Sequence, residues 1–288
     1  MSELKPIFIF AQAPRTGSTW LQRILTSTGK VLIWGEATVL LFPYGDLWSF
    51  DEGDNPRNPC NDLKLFRKQK ADMWMAVLQP FHSDIMPAYK EMLEKAYGAS
   101  AKREGFARWG MKETRWNEDV LTFVNWAWPE CEKVYIIRDF EKGFCSRFKA
   151  NKTVQGVSRK ADILEYCNLW AVQGQLILDH LKDPHTTLVH HKDLLGHPNR
   201  QKDLCRSLGL GLPDLSQSNT RISWSNHVRK FELNWDKGNQ YSELRRKKTR
   251  AIAEEAREDL KILEASPHYK QLQGVSAAFG YKWLGETP

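Results

Sequence analysis

The chain has 288 residues, 41% of them hydrophobic and 27% charged, which leaves ample apolar surface for a core. Its net charge of +7 suits an anionic ligand, a nucleic acid or an acidic surface alike, so charge alone decides nothing. Five cysteines, at positions 60, 131, 145, 167 and 205, are odd in number and form no Cys-x-x-Cys pair, which argues against a disulfide framework and a zinc site. No apolar run is long enough to span a bilayer. Residues 1–5 run into the first strand without a signal-peptide pattern, so the expected location is cytoplasmic. No Gly/Ser- or Pro-rich linker divides the chain, which predicts one domain over residues 1–288.

In chain order, residues 7–11 form a continuous apolar run that reads as a buried parallel strand. A turn follows, and then a helix with Trp20, Leu21, Ile24 and Leu25 at helical spacing and Gly29 at its C-terminal end. Residues 31–34 predict a second strand, followed by Gly35 and Glu36. Residues 43–62, rich in Pro, Gly, Asp and Asn, read as a loop or lid, and residues 62–79 and 85–97 as two helices. A strand over 106–111 leads to Lys112-Glu113-Thr114, and a helix over 118–128 stops at Pro129. Residues 134–137 form the clearest later strand. Helices over 140–150 and 161–181, a strand over 187–190 and a helix over 201–208 come next. A charged helix is expected over 242–265. Strands alternating with helices indicate right-handed βαβ units, so the fold class is α/β, an open parallel sheet flanked by helices on both faces.

The turn, Pro14-Arg15-Thr16-Gly17-Ser18-Thr19-Trp20-Leu21, carries a glycine, three hydroxyl residues and an arginine at the start of a helix. Free N–H groups and the helix dipole there favour an anion, and hydroxyls add donors. The pattern G-x-x-x-x-G-K-[ST] is absent, so this is not an ATP-type phosphate loop. An ordinary helix cap supplied by Thr16 or Ser18 is the plainer alternative. A second feature is Val134-Tyr135-Ile136-Ile137-Arg138-Asp139-Phe140, with Ser146 eight residues after Arg138. An arginine at the carboxyl end of a parallel strand lies where open α/β sheets bind ligands.

Together these segments resemble the sulfotransferases that use 3′-phosphoadenosine 5′-phosphosulfate (PAPS). The family's 5′-phosphosulfate loop reads roughly P-[KR]-[ST]-G-[ST]-T-W-L. Its 3′-phosphate motif is an apolar strand, R-[DN]-P, and a serine at the spacing of Ser146; Phe140 stands here where proline is usual. The resemblance implies a P-loop-like sulfotransferase fold with PAPS as co-substrate, 3′-phosphoadenosine 5′-phosphate (PAP) as product, and no metal. It implies that Arg15, Thr16, Gly17, Ser18 and Thr19 hold the phosphosulfate, that Trp20 helps pack the purine, and that Arg138 and Ser146 hold the 3′-phosphate. Trp20 is equally a candidate for core packing. Family members often add a basic pair in an R-K-G context, for which Arg229 and Lys230 are the candidates, with Phe231 in place of the glycine. Leu188-Val189-His190-His191-Lys192-Asp193-Leu194 resembles the segment Y-E-D-[LM], with His191 where a tyrosine commonly meets adenine.

An alcohol acceptor gains from a base that takes its proton in the transition state. Where many small-molecule members carry K-T-H after the third strand, this chain has Lys112-Glu113-Thr114, so that histidine is missing. Other branches use a glutamate after the second strand, a placement that Glu36 fits. Glu36 is therefore the expected base, with Glu113 second, and Lys112 matches the family lysine near the sulfuryl group. The expected function is sulfuryl transfer to a hydroxyl, or less readily an amine, of a small molecule such as a natural product. The expected partner is that acceptor alone, without nucleic acid or membrane, in a monomer or homodimer.

Residues 43–105 are expected to form a helical and loop insertion shaping the acceptor pocket, with Trp48, Phe50, Trp74 and Phe81 as walls. Acidic Asp46, Asp51, Glu52 and Asp54 suggest a cationic acceptor. The basic run Arg245-Arg246-Lys247-Lys248 precedes four acidic residues and reads as a solvated helix face. The rival functions are a nucleotide kinase-like phosphotransferase, which needs a loop lysine that is absent, and a non-enzymatic binder of nucleotides or nucleic acid.

Overall fold

The computed structural model describes residues 5–36, 82–150, 159–216 and 269–281. Five strands, β1 (Ile7–Ala11), β2 (Val31–Trp34), β3 (Arg108–Glu113), β4 (Glu132–Ile137) and β5 (Thr186–His190), form one sheet in the order β2-β3-β1-β4-β5. Every pairing is parallel. The helices are α1 (Ser18–Thr26), α2 (His82–Leu93), α3 (Ala99–Arg103), α4 (Glu118–Ala127), α5 (Phe140–Ala150), α6 (Arg159–His180), α7 (His191–Leu194), α8 (Pro198–Ser207) and α9 (Tyr269–Ala278). Among the described residues no helix is long and apolar enough to cross a membrane.

The central strand explains the continuous apolar run. β1 is buried along its whole length because both faces of a parallel sheet are covered. Side chains alternate between faces. Phe8 and Phe10 join Trp109, Met111, Tyr135 and Ile137 on the first face, where Val120 and Phe123 of α4, Phe144 of α5 and Tyr166 and Trp170 of α6 cover them. Ile7, Ile9 and Ala11 join Val31, Ile33, Val134 and Ile136 on the second face, beneath Leu21, Ile24 and Leu25 of α1, Leu204 of α8 and Leu208 just beyond it. The α/β architecture expected from the sequence is the one observed.

Several boundaries differ from expectation, each for a tertiary reason. β3 begins later and ends later than the apolar run. Residues 104–106 instead close the turn after α3, with Gly105 at φ 85 and the Phe106 N–H donating to the Ala101 carbonyl. At the other end Lys112 and Glu113 stay in the strand because Ile9 and Phe10 still face them. Charged Glu132 and Lys133 belong to β4 because Ile7 and Phe8 pair with them. The helix expected over 85–97 is α2, with Pro87 inside it, followed by a π-helical turn over Glu94–Gly98 and by α3. α8 starts earlier than expected, with proline in its first turn. The expectations for 43–62, 62–79 and 242–265 lie outside the described residues.

Gly110 shows how tightly β1 and β3 are joined. A Cβ there would lie 1.9 Å from the Ile7 carbonyl oxygen and 2.7 Å from Ile33 Cδ1, and neither strand can give way inside a close-packed core. Gly110→Ala is expected to destabilise the protein by about 2–3 kcal/mol or more, read as a lowered urea midpoint. An unchanged midpoint would refute this packing.

Candidate active site

Parallel strands bring all their carboxyl ends to one edge. Along that edge stand Glu36 after β2, Lys112 and Glu113 closing β3, the loop 12–17 after β1, Arg138 after β4, and His191 after β5. With strands about 4.8 Å apart, the row spans roughly 19 Å. The chain leaves β1 toward β2 on one side and crosses from β3 to β4 on the other. The switch point, where open α/β sheets form a ligand crevice, is therefore between β1 and β4.

The loop after β1 is built around two left-handed residues, Arg15 at φ 73 and Gly17 at φ 98. Gly17 is the N-cap of α1, and no side chain caps it. The alternative of an ordinary Thr16 or Ser18 cap therefore fails, and the N–H groups of Ser18 and Thr19 are left for other acceptors. Thr16 is fully buried, and its Oγ1 has no hydrogen-bond partner among the described residues. Ser18 is buried, while Arg15 and Thr19 are exposed.

Arg138 joins this loop directly, its Nη1 donating to the Arg15 carbonyl at 2.8 Å. The two motifs separated in sequence thus meet in space. Phe140, in place of the usual proline, starts α5 with its ring buried against Phe144, Tyr166 and Trp170. Asp139 Oδ1 accepts the Lys142 N–H at 3.0 Å and supplies the turn that proline would otherwise rigidify. Ser146 is half-buried on α5, about two turns beyond Arg138.

His191 packs straight onto the loop. A Cβ on Gly17 would lie 2.3 Å from His191 Cδ2, so the site needs glycine both for its φ and for this approach. Trp20 stands edge-on to the imidazole at 6.3 Å between centroids and also packs on the second-face core. Burial, and then the charges of Arg138 and Lys142, push the His191 pKa down to about 4.

At the β2–β3 end, Lys112 Nζ donates to Glu36 Oε1 at 2.6 Å. The Lys112 side chain is 5% exposed and that of Glu36 48%, so the carboxylate is held from below and open above. Strand alternation sends Lys112 and Glu113 to opposite faces. Glu113 is buried; burial, and then the Glu113 charge, raise the Tyr97 phenol above its ordinary value. The Trp34 indole N–H donates to the Tyr97 carbonyl at 3.2 Å. The sequence reading missed Trp34 and Tyr97. Trp34 was legible as the residue ending β2 before Gly35-Glu36, whereas Tyr97 arrives through a π-turn that no local pattern announces. Arg229, Lys230, Trp48, Phe50, Trp74, Phe81, the acidic residues at 46–54 and the basic run at 245–248 lie outside the described residues.

The depressed His191 pKa has a sign that can be tested. The unfolded chain takes up this proton below its ordinary 6.5 and the folded one only near 4. The stability is therefore full above pH 6.5 and is lost as the pH falls toward 4. His191→Gln should flatten the pH dependence of Tm between those values relative to wild type. Parallel curves would refute the burial of a neutral imidazole.

Residues 6–214 match the model of a family described as "Sulfotransferase family". Among solved structures, the sulfotransferase domain from the curacin biosynthetic pathway aligns at 18% identity and a TM-score of 0.54, over 98% of this chain and 99% of that one. The sulfotransferase domain from the Synechococcus PCC 7002 olefin synthase aligns at 14% identity and a TM-score of 0.52, over 98% and 97%. At these identities the structures share the fold. Comparison with curated proteins finds no match. The family match spans well over half of the chain: the protein belongs to the sulfotransferase family and is a PAPS-dependent sulfotransferase.

Proposed function

We propose that the enzyme transfers the sulfuryl group of PAPS to a hydroxyl of a small molecule at the row of residues along the carboxyl edge of the sheet. The observation that carries this reading is the Arg138–Arg15 hydrogen bond, because it ties an arginine suited to the 3′-phosphate to the loop suited to the 5′-phosphosulfate. The residues present fit such a nucleotide. The N–H groups of Ser18 and Thr19 that open α1, the buried Thr16 hydroxyl without a partner among the described residues and the left-handed backbone of Arg15 and Gly17 form an anion cradle.

In this reading the N–H groups of α1 and the hydroxyls of Thr16, Ser18 and Thr19 hold the phosphosulfate oxygens. Arg138, with Ser146, holds the 3′-phosphate, and Arg229 and Lys230 add charge there. Trp20 and the neutral His191 present flat surfaces to the purine. PAPS supplies an activated sulfuryl group. Glu36 takes the proton of the acceptor hydroxyl as its oxygen bonds to sulfur and the bond from sulfur to the phosphate oxygen breaks. Arg15 and Lys112 provide positive charge where negative charge develops on that leaving oxygen. Glu36 is favoured over Glu113 because it shares a face with Lys112 and is open to solvent, whereas Glu113 is buried on the other face. Residues 43–105 shape the acceptor pocket within one domain.

Two measurements test this. By calorimetry, wild type should bind PAP more tightly than adenosine 5′-monophosphate. Arg138→Ala should weaken PAP about 10- to 100-fold, the range for hydrogen bonds to a charged group, with little change for the monophosphate. Equal binding of both nucleotides by wild type would overturn the 3′-phosphate assignment. With radiolabelled PAPS and pooled hydroxyl acceptors, Glu36→Gln should lower turnover by about 10²- to 10⁴-fold and Glu113→Gln by far less. The reverse ranking would move the base to Glu113.

A further inference from the structure

The family match ends at residue 214, yet a residue far beyond it reaches the nucleotide edge. Helix α9 lies on the first face against α6, where Leu272 and Val275 are buried and an added Cβ on Gly174 would meet Val275 Cγ1 at 2.5 Å. Its end is fixed by two bonds, Gly280 N–H to the Ala277 carbonyl and Tyr281 N–H to the Ser276 carbonyl, with Gly280 at φ 70. This is the Schellman arrangement, which turns the chain sharply and aims the following residue.

That residue is Tyr281, 8% exposed. Its hydroxyl shares a hydrogen bond with His190 Nδ1 at 3.2 Å, the two rings lie 5.6 Å apart, and Lys192 Nζ sits 4.9 Å from the phenol ring centroid. His190 ends β5 and Lys192 lies in α7, so Tyr281 grips both neighbours of His191. Burial, with Asp139 and Asp193, raises its phenol well above the ordinary value against the opposing effect of Arg138. The hydroxyl therefore keeps its proton, and the ring sits within reach of the charges at the end of β4.

We propose that Tyr281 is a positioning residue for the nucleotide site: it clamps the corner between β5 and α7 so that His191 stays against Gly17 and beside Arg138. The inference rests on the nucleotide reading given above. Its contribution comes from the C-terminal segment: Tyr281 acts on the nucleotide site, while α9 and Phe279 belong to the core that carries it.

Tyr281→Phe isolates the clamp, because it keeps the ring, its packing and the Lys192 contact and removes only the bond to His190. Calorimetric Kd for PAP should rise about 2- to 10-fold, the range for one neutral hydrogen bond, with KM for PAPS rising in parallel and Tm shifting little. Phe279→Leu is the control: Phe279 is buried in the same segment, so this variant should lower Tm while leaving Kd for PAP within twofold. Unchanged PAP binding in Tyr281→Phe beside normal binding by wild type overturns the clamp and leaves the site reading intact. Equal weakening in Phe279→Leu also overturns it, since segment packing would then suffice. No PAP binding by wild type overturns both the clamp and the reading on which it rests.

Discussion

Everything at the site depends on the strands running in one direction. Because β1 pairs in parallel with β3 on one side and β4 on the other, residues that follow five different strands emerge at a single edge. No pair of these residues is adjacent in sequence across strands, yet the sheet spaces them at near-constant intervals. The burial that holds this arrangement is apolar and two-sided, so the edge is a rigid row and the chemistry sits on elements with little freedom to move.

Within the row, close approach separates essential glycines from incidental ones. Gly17 adopts a left-handed conformation and lies under His191, and Gly110 lies under the Ile7 carbonyl. The first lets the His191 ring close onto the loop beside a helix N-terminus, and the second lets two strands pair. Arg15 also has a left-handed φ, a sparsely populated state for a residue with a side chain, and its carbonyl is the acceptor for Arg138. The unusual backbone is thus the feature that turns the loop toward its partner motif.

The two ends of the edge differ in character. Toward β4 and β5, Arg138, Lys142, His191 and Lys192 gather positive charge and imidazole around the loop, and burial keeps His191 neutral. Toward β2 and β3, among the described residues, Lys112 is paired with Glu36, and Trp34, which ends β2, lies edge-on to Tyr97. A polyanionic donor suits the first end, and a carboxylate-bearing, aromatic-walled end suits an organic acceptor. The polarity follows from strand order, since β1 with its loop stands between the two.

The amino-acid sequence by itself determined the apolar run of β1, the hydroxyl-rich loop, the apolar strand ending at Arg138 and the alternation of strands and helices. Each of these is a local pattern whose period or composition reports its own environment. Tertiary structure decided what local pattern does not carry. Glu132, Lys133, Lys112 and Glu113 became strand residues because β1 offered them partners. Lys112 and Glu113, neighbours in sequence, were sent to opposite faces of the sheet. Phe140 could replace proline because an aromatic pocket from α6 received it. Tyr97 and Tyr281 came to the edge through a π-turn and a capped helix end, and only packing against distant elements gives either position its meaning. Contacts made across the sheet are absent from any short window of sequence, and for that reason the strands and the loop were legible while the Lys112–Glu36 pair and the Tyr281–His190 bond were not.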